Sequence, residues 1–131
     1  MKSSKLVIIP TFNEKENIQD MIVEIMALPE SFDLLVIDDN SPDGTSSLVS
    51  QMQETYLDRL SLIVRKGKLG LGTAYLEGFA YALKAGYEYI FEMDADFSHN
   101  PHDLSILYTA AVTGNHDMVI GSRYVSGVNV V

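Results

Sequence analysis

The feature of this sequence that most constrains its fold is the alternation of short apolar runs with longer segments of helical periodicity. Five runs rich in β-forming residues occur, at positions 6–10, 34–37, 60–64, 87–93 and 118–120. Three apolar stripes at helical spacing lie between them: Ile18, Met21, Ile22 and Ile25; Tyr75, Phe79, Ala82, Leu83 and Gly86; and Leu104, Leu107, Tyr108 and Ala111. The order predicts an α/β fold, a Rossmann-like and mostly parallel open sheet with right-handed crossovers and helices on both faces.

Composition excludes several classes of function. The 131 residues, 47% hydrophobic and 21% charged, are typical of one globular domain. Eighteen acidic against nine basic residues give a net charge of −9, so we expect no nucleic-acid partner. The absence of cysteine excludes disulfides, zinc–thiolate sites and thiol nucleophiles, and it fits a reducing, cytoplasmic compartment. The apolar start is too short for a signal peptide or a membrane span.

Charged residues follow the apolar runs, where the strands of a parallel sheet end and ligands bind. Asp94 and Asp96 are separated by one residue, so in extended geometry both side chains emerge on the same side. Two carboxylates there suit a hard cation, Mg²⁺ or Mn²⁺, that bridges them to a diphosphate. The alternative is a loop in which these aspartates are turn formers or helix caps.

The acidic residues after the first two runs have two interpretations each. Asp38 and Asp39 are able to accept the N–H and O–H donors of a base or ribose, and for one of the two an Asx turn leading to Asp43 is the alternative. Glu14 is either a ligand contact or an acid in the first turn of a helix that begins near Lys15.

Two basic features complete the predicted edge of the sheet. The segment at 67–72, Gly-Lys-Leu-Gly-Leu-Gly, matches neither the P-loop nor the dinucleotide-binding fingerprint, which argues against both cofactor classes. We interpret it as a substrate-proximal loop, with a tight turn as the alternative. Arg123 follows the fifth run, where its forked side chain suits a phosphate; a structural salt bridge is the alternative.

Five segments taken together carry a resemblance to a known family. They are PTFNE at 10–14, DDNSPDGT at 38–45, GLGTAY at 70–75, DADFSHNP at 94–101 and GSRY at 121–124. In order and spacing they closely resemble family 2 glycosyltransferases of the dolichyl-phosphate mannose synthase type, over nearly the whole chain. The resemblance implies a GT-A fold and metal-dependent transfer of mannose, with inversion, from GDP-mannose to dolichyl or another polyprenyl phosphate.

The resemblance also implies roles for individual residues. The residues it places at the nucleoside are Pro10, Phe12, Glu14, Ile37 and Asp39, and those at the ribose and diphosphate are Asp94, Ala95 and Asp96. Asp96 would be the principal metal ligand, with Asp94 and Ser98 near it, and Arg123 would bind phosphate; Asp96 and Arg123 are the implied catalytic residues. Phe12 stands where relatives often carry tyrosine, so ring stacking is kept and a hydroxyl contact is lost.

Relatives continue beyond the GSRY segment with parts that hold the lipid phosphate. We therefore expect the 131 residues to form a single domain, truncated at its C-terminus relative to the complete catalytic domain. The resemblance implies a peripheral position at the cytoplasmic membrane face, where the polyprenyl phosphate acceptor is found.

Three alternatives stay open. A related family 2 enzyme would use another donor, such as UDP-glucose or a UDP-aminosugar, and a fragment of such an enzyme would bind nucleotide without turnover. A phospho-receiver domain also has five strands and clustered aspartates, but it needs an acidic pair after the first strand and a lysine after the fifth. This chain has Glu14 and Arg123 at those places.

Overall fold

The computed structural model describes residues 3–67, 69–114, 119–121 and 128–130, which fall into two compact units, residues 1–99 and 100–131. The first unit contains β1 (Lys5–Thr11), α1 (Ile18–Met26), β2 (Asp33–Asp38), α2 (Thr45–Tyr56), a short 3₁₀ helix (Leu57–Arg59), β3 (Leu60–Val64), α3 (Leu71–Ala85) and β4 (Tyr89–Glu92). The second unit contains α4 (Asp103–Thr113), β5 (Val119–Gly121) and β6 (Val128–Val130).

The sheet of the first unit has the strand order β3-β2-β1-β4, and all its neighbouring strands are parallel. All six residues of β2 are buried, as expected for an inner strand covered on both faces. The chain winds from β1 to β3 in one direction and then places β4 on the other side of β1. The carboxyl ends of β1 and β4 therefore flank the point where the winding reverses, which is where open α/β sheets bind ligands.

One face of the sheet is covered by α3. A buried cluster joins the helix to the two central strands through Leu6, Ile8, Leu35, Ile37, Ala74 and Ala82. Gly78, in the middle of α3, allows the close approach, because a Cβ at this position would lie 2.7 Å from Ile8 Cγ2.

The opposite face is covered by α1 and α2. Strand alternation directs Val7 and Ile9 of β1 to this side, and both are fully buried. The two helices contact each other and β2, and their fully buried residues include Ile22, Ile25 and Val49. These contacts confirm the predicted sheet with helices on both faces.

The structure corrects two predicted starts. The amide of Tyr87 donates to the carbonyl of Ala82 and so belongs to the end of α3, and β4 covers Tyr89–Glu92 rather than 87–93. The helix expected near Lys15 begins at Ile18, because the amides of Asn17 and Ile18 both donate to the Glu14 carbonyl in a preceding turn.

The predicted stripe of α3 was wrong at two positions. Gly86 is exposed and caps the C-terminus of the helix. Leu83 is 71% exposed. The face of the helix that packs against the sheet instead carries the small residues Ala74, Gly78 and Ala82. Spacing of four residues places these three on one row, and Leu83 follows about 100° further round the helix.

The fifth predicted strand has a different partner from the one expected. In the described part of the second unit, β5 pairs with β6 in antiparallel register, Val119 opposite Val130, and α4 packs against both strands. Since β6 is a short segment without a long apolar run, the sequence pattern did not predict it.

Candidate functional site

A cleft of about 240 Å³ opens at the carboxyl ends of the parallel strands of the first unit. Four segments supply its walls: the end of β1 with the residues that follow it, the residue that follows β2, the start of α3 with the glycine before it, and the residues that follow β4. The lining residues are Pro10, Thr11, Phe12, Glu14, Asp39, Gly70, Leu71, Ala74, Asp94, Ala95 and Asp96.

Side chains of the β2–α2 loop and of the first residue of α2 hold the segment after β1 in place. Three successive backbone amides are bound: Asn13 N donates to Ser41 Oγ at 2.8 Å, Glu14 N to Thr45 Oγ1 at 3.1 Å and Lys15 N to Asp43 Oδ2 at 3.1 Å. Asn13 adopts a left-handed backbone conformation, φ 54°, a region that asparagine tolerates better than most residues. This arrangement brings Glu14 to the cleft wall.

Asp38 and Asp39 have different roles, although they are adjacent. Asp38 is fully buried and accepts hydrogen bonds from Thr11 Oγ1 at 2.7 Å, Ser41 Oγ at 2.6 Å and Ser41 N at 2.8 Å. Its carboxylate therefore holds the loop after β2 against the end of β1. Asp39, by contrast, lines the cleft.

Arg65, at the end of β3, forms a buried ion pair with Asp39. Its Nε lies 2.6 Å from Asp39 Oδ1 and its Nη2 lies 3.0 Å from Oδ2, a two-point contact between a guanidinium and a carboxylate. The hydrogen bond to Asp39 raises the pKa of Arg65 above its already high ordinary value, so the guanidinium is charged.

The acidic residues after β4 lie in a turn. The strand ends at Glu92, two residues before Asp94, so the expectation of extended geometry across Asp94 and Asp96 was wrong. The turn is tightened by Phe97, which has a left-handed conformation with φ 63°. Both aspartates nevertheless line the cleft.

Neighbouring groups fix the two aspartates differently. Tyr75 Oη donates to Asp94 Oδ1 at 3.4 Å, and burial together with the charge of Asp94 raises the pKa of Tyr75 well above its usual range. Hydrogen bonds from the hydroxyl and the backbone amide of Ser98 lower the pKa of Asp96, the amide lying 3.0 Å from Oδ1. Asp96 is therefore ionised at neutral pH.

Negative charge accumulates at the cleft. Burial raises the pKa of Glu14, a hydrogen bond from Asn17 opposes the shift, and the charges of Asp96, Asp43 and Asp94 raise it further. Carboxylates from two strand ends thus repel one another across the cleft. A cation placed there would relieve the repulsion.

The donor set fits a divalent cation that is only partly held by protein. Within residues 3–67, 69–114, 119–121 and 128–130, no three acidic or histidine side chains are grouped as a metal cage. Mg²⁺ and Mn²⁺ sites commonly combine one or two carboxylates with waters and substrate phosphates. Asp94 and Asp96 supply oxygen donors for such a site.

Most of the predicted site residues come together. The cleft contains Pro10, Phe12, Glu14, Asp39, Asp94, Ala95 and Asp96. Two others do not line it: Ile37 is fully buried in the core beneath α3, and Ser98 is exposed and binds Asp96. Arg123 lies outside the described residues, so its role stays a prediction.

Sequence reasoning missed several parts of the site. Thr11 and Ala74 line the cleft without having been singled out, whereas Gly70 and Leu71 confirm that the glycine-rich segment lies beside it. Arg65 was also missed. Its place directly after an apolar run was the sequence signal that could have identified it.

No helix in the described part of the chain combines the length and the apolar character needed to cross a bilayer.

Two sequence relatives resemble the chain over most of its length. It is 46% identical over 122 residues to the polyprenol monophosphomannose synthase of Mycolicibacterium smegmatis and 44% identical over 123 residues to the undecaprenyl-phosphate mannosyltransferase of Micrococcus luteus. Each match covers 93% of this chain, but 46% and 49% of the respective relative. The chain therefore spans about half the length of these curated relatives.

Solved structures share the fold. The mannosyltransferase PcManGT from Pyrobaculum calidifontis, in complex with GDP-Man and Mn²⁺, matches 73% of this chain and 28% of its own with a TM-score of 0.61 and 28% identity. Residues 1–349 of S. aureus TarS match 98% of this chain and 38% of their own with a TM-score of 0.66 and 24% identity. These likenesses confirm the predicted GT-A fold. Residues 6–131 match the family model "Glycosyl transferase family 2", and the chain belongs to that family.

Proposed function

We propose that the chain is the donor-binding part of a metal-dependent mannosyltransferase that takes GDP-mannose and delivers mannose to a polyprenyl phosphate with inversion. The observation that carries the proposal is the convergence of Glu14, Asp94 and Asp96 on one cleft at the reversal point of a parallel sheet. The names of the two sequence relatives and the GDP-Man complex of the structural relative support the choice of donor and acceptor.

The walls of the cleft suit the two ends of a sugar nucleotide. Pro10 and Phe12 offer apolar surface to a base, and the Asp39 carboxylate accepts a hydrogen bond from the base or ribose. The two aspartates after β4 make one part of the cleft acidic. A diphosphate binds beside these carboxylates only with a cation between them, because both groups are negatively charged. We assign Asp94 and Asp96 to hold Mg²⁺ or Mn²⁺, with Ser98 near them and Arg123 as a phosphate ligand.

The divalent ion would supply neutralisation of the charge on the departing diphosphate. The protein groups orient the donor: the Ser98 hydrogen bonds keep Asp96 ionised and fixed, and Tyr75 restrains Asp94. In the transfer, an acceptor phosphate oxygen forms a bond to C1 of mannose while the bond from C1 to the diphosphate oxygen breaks. Since the acceptor phosphate is already ionised at neutral pH, the reaction requires no strong general base.

The acceptor places the reaction at a membrane surface. A polyprenyl chain remains in the bilayer, so the phosphate reaches the cleft only when the enzyme lies against the cytoplasmic face. We propose a peripheral location of this kind for the whole enzyme.

Calorimetric titration tests the proposal. We expect GDP-mannose to bind more tightly than UDP-glucose or UDP-N-acetylglucosamine in the presence of Mn²⁺. Asp96→Ala weakens this binding by about tenfold or more, about 1.4 kcal/mol, because an ionised ligand of the cation is lost. Asp58→Ala, which removes an exposed carboxylate of the 3₁₀ helix, serves as the matched control.

Two results would contradict the assignment. Tighter binding of a UDP-sugar than of GDP-mannose would contradict mannose as the transferred sugar. If Asp96→Ala binds GDP-mannose as tightly as the Asp58→Ala control, Asp96 is not a ligand of the metal. Transfer of mannose to a short polyprenyl phosphate by the chain, measured with labelled GDP-mannose, tests the acceptor.

A further inference from the structure

Arg65 donates hydrogen bonds from all three nitrogens of its guanidinium group at the edge of the cleft. Besides the two contacts with Asp39, Nη2 donates to the carbonyl of Gly70 at 3.0 Å and Nη1 donates to Thr73 Oγ1 at 3.0 Å. The residue is only 7% exposed. Its donors are thus divided between a cleft carboxylate and the segment that leads into α3.

The contacts of Asp39 leave little of its carboxylate for a ligand. Oδ2 accepts hydrogen bonds from Arg65 Nη2 and from the backbone amide of Leu69, the latter at 3.1 Å, while Oδ1 accepts from Arg65 Nε. Each carboxylate oxygen has two acceptor positions. Oδ2 is therefore saturated, and Oδ1 keeps one position for a donor in the cleft.

The same contacts fix the rim of the cleft. Gly70 and Leu71 line the cleft, and Thr73 Oγ1 lies 3.0 Å from the Leu69 carbonyl and 2.9 Å from the Gly70 carbonyl. Gly70 has φ 103°, a conformation that residues with a side chain rarely adopt. Arg65 thus joins this rim to Asp39 across the end of β3.

We propose that Arg65 is a positioning residue for the nucleoside end of the donor. It holds Asp39 so that a single acceptor faces the ligand, and it couples the rim at residues 69–71 to that carboxylate. Asp39 then receives one N–H or O–H group, and a two-point contact with adjacent donors of a base is excluded. The inference rests on the proposed nucleotide-binding function. It adds the role of Arg65 and the number of hydrogen bonds that Asp39 accepts from the donor.

A conservative substitution with a matched control tests the proposal. Arg65→Lys keeps the positive charge but loses the planar fork. Arg59→Lys makes the same change at the opposite end of β3, where Arg59 Nη2 donates to the Phe32 carbonyl at 3.0 Å, away from the cleft. We measure dissociation constants for guanosine and for GDP with and without Mn²⁺, at a temperature where circular dichroism shows each variant folded.

The expected result separates positioning from general stability. Arg65→Lys weakens the binding of guanosine and the binding of GDP by the same factor, about tenfold, because both ligands contain the base and ribose. In this variant the ratio of the GDP affinities with and without Mn²⁺ stays that of the wild type. In Arg59→Lys the dissociation constants of both ligands stay within about twofold of the wild-type values. Unchanged guanosine binding by folded Arg65→Lys would overturn the proposal.

Trypsin provides a second measurement that does not depend on ligand binding. Lys66 and Lys68 offer cleavage sites in the segment that Arg65 anchors. We expect Arg65→Lys to accelerate cleavage at these two bonds several-fold, as resolved by mass spectrometry, relative to Arg59→Lys. Equal cleavage in the two variants would contradict the coupling of the rim to Arg65.

Thr73→Val keeps the test decisive if Arg65→Lys does not fold. Thr73 is exposed, and the change removes one Arg65 acceptor without altering Asp39. Faster cleavage after Lys66 supports the proposal, and wild-type cleavage overturns it. If the wild-type chain fails to bind GDP with Mn²⁺, the proposed function is wrong, while the proteolysis result still decides whether Arg65 orders the rim.

Discussion

The backbone amide of Glu14 donates to the hydroxyl of Thr45 across 3.1 Å, so the first residue of α2 fixes the residue that enters the cleft after β1. Thr45 is fully buried and in turn donates to Asp43. The position of Glu14 is therefore set by the first side chain of α2 and by the loop that precedes this helix.

Thr45→Val should destabilise the fold and disturb the cleft together. Valine preserves the shape of the side chain but leaves the Glu14 amide without its acceptor, which costs about 1–3 kcal/mol at a buried site. Urea unfolding measures this loss, and titration with GDP and Mn²⁺ should show weaker binding. Thr113→Val, which removes an exposed hydroxyl bonded to the Thr109 carbonyl at 2.7 Å, is the control. Equal stability of the two variants would contradict the role of Thr45.

Tyr75→Phe should weaken metal-dependent nucleotide binding, because Asp94 loses the hydroxyl that restrains it. Tyr81→Phe is a matched control on the same helix, since Tyr81 donates to Ser61 Oγ at 3.1 Å and packs against the same core cluster. We expect about a threefold loss of GDP affinity with Mn²⁺ for Tyr75→Phe alone. Similar affinities in both variants would show that the Tyr75 hydroxyl does not position Asp94.

Glu14→Gln should raise the melting temperature in the absence of divalent ions, and the gain should depend on pH. Burial and the neighbouring carboxylates raise the pKa of Glu14 above 4.5, so the folded protein holds this proton more tightly than the unfolded chain does. The stabilising effect of that proton is present at low pH and is lost as pH rises through the folded pKa.

The advantage of Glu14→Gln is therefore full above the folded pKa of Glu14 and disappears below about pH 4, where the glutamate is protonated in both states. Melting curves between these limits measure it. Glu16→Gln removes a charge from an exposed position outside the cleft and controls for net charge. A gain that does not vary with pH would contradict the repulsion among these carboxylates.

The sheet was predictable because its inner strands are buried on both faces. Even the edge strand β3 matches the run at 60–64 residue for residue, since leucine, isoleucine and valine give a strand signal that only Ser61 interrupts. The start of β4 was not predictable from the sequence. Tyr87 is a residue type that favours strands, but its backbone amide donates to the end of α3. Local composition does not reveal which carbonyl a backbone amide will reach.

The candidate site was predictable in its location rather than in its contacts. Residues that follow the apolar runs had to meet at one edge of the sheet, and seven of those assigned by resemblance line the cleft. The difference between Asp38 and Asp39 depends on partners far along the chain, Thr11 for one and Arg65 for the other. Such long-range pairs leave no periodic signal in a single sequence.

Gly78→Ala should destabilise the protein even though alanine favours helices. The added Cβ meets Ile8 Cγ2 at 2.7 Å in a buried contact, and overpacking of this kind costs about 1–3 kcal/mol. Gly72→Ala is the control on the same helix, because its Cβ meets nothing within 4 Å, and it should be neutral or stabilising by up to about 1 kcal/mol. Denaturant unfolding should separate the two variants, and a stable Gly78→Ala protein would show that α3 has room to move from β1.

The proposed function depends on the carboxylates after β4 holding a divalent cation against the diphosphate of the donor. Anomalous scattering from crystals grown with Mn²⁺ and GDP-mannose measures the position of the cation, with Asp96→Asn crystals as the comparison. We expect one manganese peak that contacts an Asp96 oxygen and the diphosphate, and that is lost or weakened in the variant. A bound donor with manganese elsewhere, or with no manganese peak, would show that these carboxylates do not hold the cation.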